Sequence, residues 1–153
     1  MSDDTLPAPL VAEFVDLREF HFMPLDIVQL ENSETWMMAC SVPYAAAACI
    51  NLWRRAWHSV PAGSLPNNEA ILRTCAAVPD WESVRDIALR GFILCSDGRI
   101  YHGVLCEKVL ESWGKKRQQN KQTRAATEAR RALKRSLTPG KNKKKDDQRD
   151  DER

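Results

Sequence analysis

The chain has 153 residues, of which 43% are hydrophobic, with five Trp, five Cys and a formal net charge of +2. That length suits one domain with a tail, and no segment approaches the ~20 apolar residues of a membrane span. The net charge conceals a split: residues 1–113 carry eight Lys/Arg against fifteen Asp/Glu, and residues 114–153 carry fifteen against six.

Residues 1–19, with two prolines among polar neighbours, read as a mostly disordered N-terminal arm. A domain is expected over 20–113. It opens on Phe20-His21-Phe22-Met23-Pro24-Leu25, which is apolar, too short for a helix, and reads as an extended segment packed on the core. Asp26 to Gln29 then reads as a turn, and Ser33 to Met38 as the start of a short helix. Pro43 suits the first turn of a central helix, because its missing N–H has no partner there anyway. In that helix Ala46, Cys49, Ile50, Trp53 and Trp57 recur on one face.

Ser59 to Pro66 reads as a loop from its Pro and Gly breakers. Asn67 can cap a second helix that buries Ile71, Leu72 and Cys75 and exposes Arg73. Pro79 opens a third helix with Trp81, Val84, Ile87 and Ala88 inward and Glu82, Ser83, Arg85, Asp86 and Arg90 outward. Gly91 can adopt the left-handed backbone that ends it. Asp97-Gly98, set between Phe92-Ile93-Leu94-Cys95 and Ile100-Tyr101-His102, signals a hairpin with a two-residue loop.

Gly103 marks the hairpin's exit, and Leu105, Val109 and Trp113 place an apolar stripe on a following helix. Residues 114–137 are rich in Ala, Gln, Arg and Lys, which favours a basic helical extension. Pro139-Gly140 stops it, leaving 138–153 as a disordered charged tail. Helix, helix, helix, hairpin gives the expected fold. It is α+β, mostly α: a winged-helix-like three-helix core with a β-hairpin wing and a long C-terminal helix.

These segments also carry a resemblance. Phe22-Met23-Pro24-Leu25-Asp26, Leu52-Trp53-Arg54-Arg55-Ala56-Trp57-His58, Val60-Pro61, Ser64-Leu65-Pro66-Asn67-Asn68, Arg90-Gly91-Phe92, Asp97-Gly98-Arg99-Ile100-Tyr101-His102 and Glu107-Lys108 occur in that order. Over roughly residues 18–117 the chain resembles the YdaU-like domain of unknown function of prophage and phage replication regions. The resemblance implies a winged-helix module similar to those of replication initiators, in the cytoplasm of a bacterial host and often encoded near helicase-loader genes, which makes a helicase loader or other replication protein a candidate partner. It implies no catalytic residue. Longer relatives have a separate C-terminal domain that is not found in this sequence.

The chemistry-bearing residues argue against an enzyme. Cys40, Cys49, Cys75, Cys95 and Cys106 are odd in number and form no C-x-x-C pair, so neither disulfides nor zinc is expected. His21, His58 and His102 are scattered, and the six glycines build no phosphate loop. No cofactor or metal is expected. The acidic start, Met1-Ser2-Asp3-Asp4, is unlike a signal peptide and points to the cytoplasm.

DNA, duplex or single-stranded, is the expected partner. In a winged helix the third helix enters a groove and the wing touches the backbone, which selects Arg85, Arg90 and Arg99. Asp80, Glu82 and Asp86 on the same helix oppose this, so the basic extension is the stronger candidate. Its cations are Lys115, Lys116, Arg117, Lys121, Arg124, Arg130, Arg131, Lys134 and Arg135. Two alternatives stay open: a protein–protein adaptor working through the acidic body, and a transcription regulator sharing the fold.

Overall fold

A computed structural model describes residues 5–138. The expected tail, Thr138 apart, lies outside the described residues. The chain divides after Trp113 into two units.

The first unit begins with two short capped helices. Asp26 accepts a hydrogen bond from the Gln29 N–H and starts α1, Ile27–Glu31; Ser33 accepts from the Trp36 N–H and starts α2, Glu34–Ser41. Each side-chain oxygen satisfies a backbone donor that the first helical turn leaves open. The central helix α3, Ala45–Trp57, begins after Pro43 rather than at it, with Tyr44 held at φ 67°. Its buried face is Ala45, Ala48, Cys49, Leu52, Trp53, Ala56 and Trp57. Ala46 and Ile50, expected on that face, are only partly buried, so the helix is turned slightly from the reading of its Trp residues.

Residues 59–66, expected to be loop, contain strand β1, Ser64–Pro66. After it come α4, Glu69–Ala76, and α5, Trp81–Ala88. Asn68, not Asn67, caps α4, accepting from the Ile71 N–H at 3.2 Å. Ile71 is exposed, whereas Leu72 is buried. Asp80, not Pro79, is the residue at the start of α5, with φ 56°.

The hairpin strands are β2, Phe92–Leu94, and β3, Arg99–His102. The sheet is antiparallel with order β1-β3-β2; Leu65 lies opposite Ile100, and Ile93 opposite Tyr101. Helix, strand, helix, helix, strand, strand from α3 to β3 is the winged-helix-like arrangement. The turn has three residues instead of two. The Gly98 N–H reaches the Cys95 carbonyl at 3.0 Å and the Cys95 N–H reaches the Arg99 carbonyl at 2.9 Å. Gly98 has φ 79°, while Asp97 does not enter the positive region. A type I turn closed by a left-handed glycine explains both facts.

The N-terminal residues overturn the expectation of disorder for 5–19. Val11, Val15 and Leu17 are fully buried in the core, and the Val15 carbonyl accepts from the Ala62 N–H at 2.9 Å. Phe14 stacks at a tilt on Trp113, with ring centroids 6.2 Å apart. Phe20 and Met23 pack on the core as expected, but Phe22 points away and is 86% exposed.

The last helix, α6, runs unbroken over Gly103–Ser136, so Gly103 is its first residue rather than the hairpin's exit. Leu105, Cys106 and Val109 are buried in the first unit. In the second unit the described residues from Arg117 to Thr138 are all exposed. No helix among the described residues is long and apolar enough to cross a membrane.

Candidate nucleic-acid interface

The twelve cations singled out in the sequence fall into two sets with different surroundings. Arg85, on α5, is bound by carboxylates. Its Nε donates to Glu69 Oε1 at 2.5 Å, and its Nη1 to Asp86 Oδ1 at 3.2 Å. Trp81 Nε1 donates to the other Glu69 oxygen at 3.2 Å, and Arg73 pairs with Glu82. These bonds tie α5 to α4. The Arg85 hydrogen bond, with the one from Trp81, holds the Glu69 carboxyl below its ordinary pKa.

Arg99, at the wing, has a structural partner too. Its Nε donates to Ser64 Oγ at 2.8 Å, and Ser64 Oγ donates in turn to the Pro61 carbonyl at 2.6 Å. Arg90 donates from Nη1 to Met38 Sδ. The guanidinium groups expected on a recognition helix and wing therefore face groups of their own domain. Sequence supplied the charges but not these partners, since Glu69 and Ser64 lie 16 and 35 residues away.

Cations on the second unit differ. Between 114 and 138 there are nine Lys/Arg and one acid, Glu128. Among the described residues, Arg117, Lys121, Arg124, Arg130, Arg131, Lys134 and Arg135 form no ion pair, unlike Arg18, Arg73 and Arg85 of the body. Arg117, Lys121, Arg124, Arg131 and Arg135 recur with Glu128 at alternating intervals of four and three, so five cations and one acid occupy one face of the helix. From Arg117 to Arg135 that face rises through eighteen residue steps, ~27 Å at 1.5 Å per step. Solvated, unpaired cations repel one another, and an anionic partner relieves that repulsion.

A second feature was not legible in advance. A cavity of about 310 Å³ is lined by Met23, Pro24, Leu25, Trp53, His102 and Lys108, among others. These residues come from segments that carry the family resemblance, and they are up to 85 positions apart in the chain. Lys108 Nζ lies 3.9 Å from Asp26 Oδ2 beside it. His102 packs edge-on against Trp53 and Phe92, with centroids 5.7 and 5.0 Å away. Burial lowers its pKa to about 4, so the ring is neutral at pH 7. Its Nδ1 accepts from the Leu105 N–H at 3.1 Å, which caps the start of α6.

Neither a curated protein nor a solved structure matches the chain. A family model does: the one described as "Protein of unknown function (DUF1376)" matches residues 21–111. That stretch holds α1 to β3 and the start of α6. Covering more than half of the sequence, the match shows that the chain belongs to the DUF1376 family of proteins of unknown function.

Proposed function

We propose that this protein is a non-enzymatic DNA-binding protein of a phage or prophage replication region. The basic stretch of α6 provides electrostatic affinity, and the winged-helix-like body provides shape and partner contacts. One observation carries the reading: Arg73, Arg85 and Arg99 of the body face carboxylates or a hydroxyl of their own domain, whereas among the described residues the cations from Arg117 to Arg135 form no ion pair. The replication context rests on the resemblance to YdaU-like domains.

Fluorescence anisotropy of the full chain on labelled DNA at several salt concentrations tests this. Neutralising ~5 phosphates gives a slope of log affinity against log salt of about −4. Reversing Arg117, Arg124 and Arg131 to Glu is expected to remove most of that affinity. Binding unchanged by the three substitutions would overturn the reading.

A second reading, an adaptor for a helicase loader or another replication protein, draws on the body. Phe22, Ile27 and Val28 are 86%, 66% and 72% exposed, next in sequence to residues that line the cavity. Clustered exposed apolar side chains mark interaction surfaces. Phe22→Ser with Val28→Ser should abolish capture of such a partner while leaving salt-dependent DNA binding intact.

A further inference from the structure

The cavity of about 310 Å³ lies wholly within the first unit, and none of its lining residues is among the cations assigned to DNA. Its volume is at the lower end of the range for small-ligand pockets, roughly 300–1,000 Å³. Met23, Leu25, Leu30 and Val104 give it aliphatic walls, and Trp53 gives it a ring. Leu25 and Val104 are exposed whereas Trp53 is almost covered, so the space runs from solvent toward the core. Its charged groups at pH 7 are one acid and one base, Asp26 and Lys108, because burial keeps His102 neutral. Asp26 Oδ1 and Ser33 Oγ are already engaged, accepting from the Gln29 and Trp36 N–H groups at 3.0 and 3.3 Å. Lys108 differs. Its Nζ is 3.9 Å from Asp26 Oδ2, beyond hydrogen-bond reach, and has no hydrogen bond among the described residues. With its side chain only 27% exposed, the ammonium brings donors without acceptors to the edge of an apolar space.

We infer that this cavity is a binding site for a small amphipathic carboxylate, with an aromatic or branched apolar body among Leu25, Leu30, Trp53 and Val104 and its carboxylate on the Lys108 ammonium. A carboxylate oxygen can approach Nζ to about 2.8 Å, closer than Asp26 stands, and a charge-assisted bond of that length is roughly twice as strong as a neutral one. The apolar body gains by leaving water for walls of its own kind. Other ligand classes fit less well. A wholly apolar molecule leaves the ammonium without an acceptor. A phosphate carries more oxygens than Lys108 can satisfy, and the rest would meet Asp26 or the aliphatic walls. Because the site lies apart from the basic stretch of α6, it stands or falls independently of the DNA-binding reading.

The test is an NMR titration of the full chain with three probes: indolepropionate, isocaproate and the neutral indolepropionamide. The indole N–H of Trp53 and the methyls of Val104 report on the site. Both acids should shift these resonances saturably, and indolepropionate should bind roughly tenfold tighter than its amide. Lys108→Met, which keeps an apolar stem, should remove that preference and leave the affinity of the amide unchanged. Val104→Trp, which fills the space from its exposed side, should weaken all three probes by roughly tenfold or more. If that variant does not fold, Lys108→Met decides alone. Absence of a saturable shift with either acid would overturn the site, and so would shifts confined to the basic stretch of α6. Equal affinity for indolepropionate and its amide, or a preference that survives Lys108→Met, would overturn the carboxylate assignment.

Discussion

Arg99 donates from Nε to the Oγ of Ser64 across 2.8 Å, joining the returning strand of the wing to β1. Ser64 is fully buried, so its hydroxyl depends on partners inside the protein. Arg99→Ala is expected to lower stability by about 1–2 kcal/mol, read as a lower urea midpoint. DNA affinity of the same variant should stay within roughly twofold of the parent, because one rim charge of five or more adds little. A large loss of affinity with unchanged stability would return Arg99 to the DNA interface.

Gly91 sits against the ring of His102. It has φ 86°, and a Cβ there would fall 2.7 Å from Nε2. Gly91→Ala therefore meets both a backbone penalty and a clash, and should destabilise the domain by roughly 1–3 kcal/mol. His102→Ala removes the clash but not the backbone term. In a double-mutant cycle the two substitutions should therefore fall short of additivity. Strict additivity would show that the ring does not press on residue 91.

The same histidine gives a pH dependence with a defined sign. Its folded pKa, lowered to about 4 by burial, lies under the ~6.5 of an unfolded histidine. The unfolded chain thus binds the proton first, so the contribution is complete above pH 6.5 and is lost as pH falls toward 4. Each unit of the difference corresponds to about 1.4 kcal/mol. Urea midpoints should fall across this window and do so less in His102→Gln. Glu69 and Asp97, whose pKa values are also lowered, act at still lower pH. For Asp97, burial opposes the shift, and hydrogen bonds from Tyr101 and Arg99 prevail.

Thiol chemistry reports the core directly. Burial raises Cys49 to about 11 and Cys106 to about 12, and Cys95 is raised for the same reason. Cys40 is exposed. An aromatic disulfide reagent at pH 8 should titrate Cys40 quickly, with Cys49, Cys95 and Cys106 reacting only in denaturant. Fast native labelling of Cys106 would contradict its place beneath Gly63, whose carbonyl lies 3.5 Å from the thiol.

What could be read from the sequence was periodic or chemically marked. The helical stripe of α3, the Gly91 stop and the Asp97-Gly98 turn all announced themselves. The loop came out one residue longer because Ser96 belongs to the turn, and residue type does not fix loop length. β1 was hidden since three residues ending in Pro66 look like a breaker; on an edge strand the missing N–H is tolerated. Val11, Val15 and Leu17 gave no period, and only the fold shows what they cover. The basic helix was legible as composition, whereas the partners of Arg85 and Arg99 depended on tertiary contacts.

The burial of Val11, Val15 and Leu17 has a consequence for where this domain starts. The family match begins at residue 21, but the folding unit begins at least ten residues earlier. A fragment cut to the family limits would expose the sites these three side chains fill and lose the backbone bond from Ala62 to Val15. At roughly 1.5–3 kcal/mol for each buried aliphatic side chain, that loss rivals the whole stability of a small domain. Shared ancestry and core packing thus draw different borders on this chain, and only the wider one includes every side chain that fills the core.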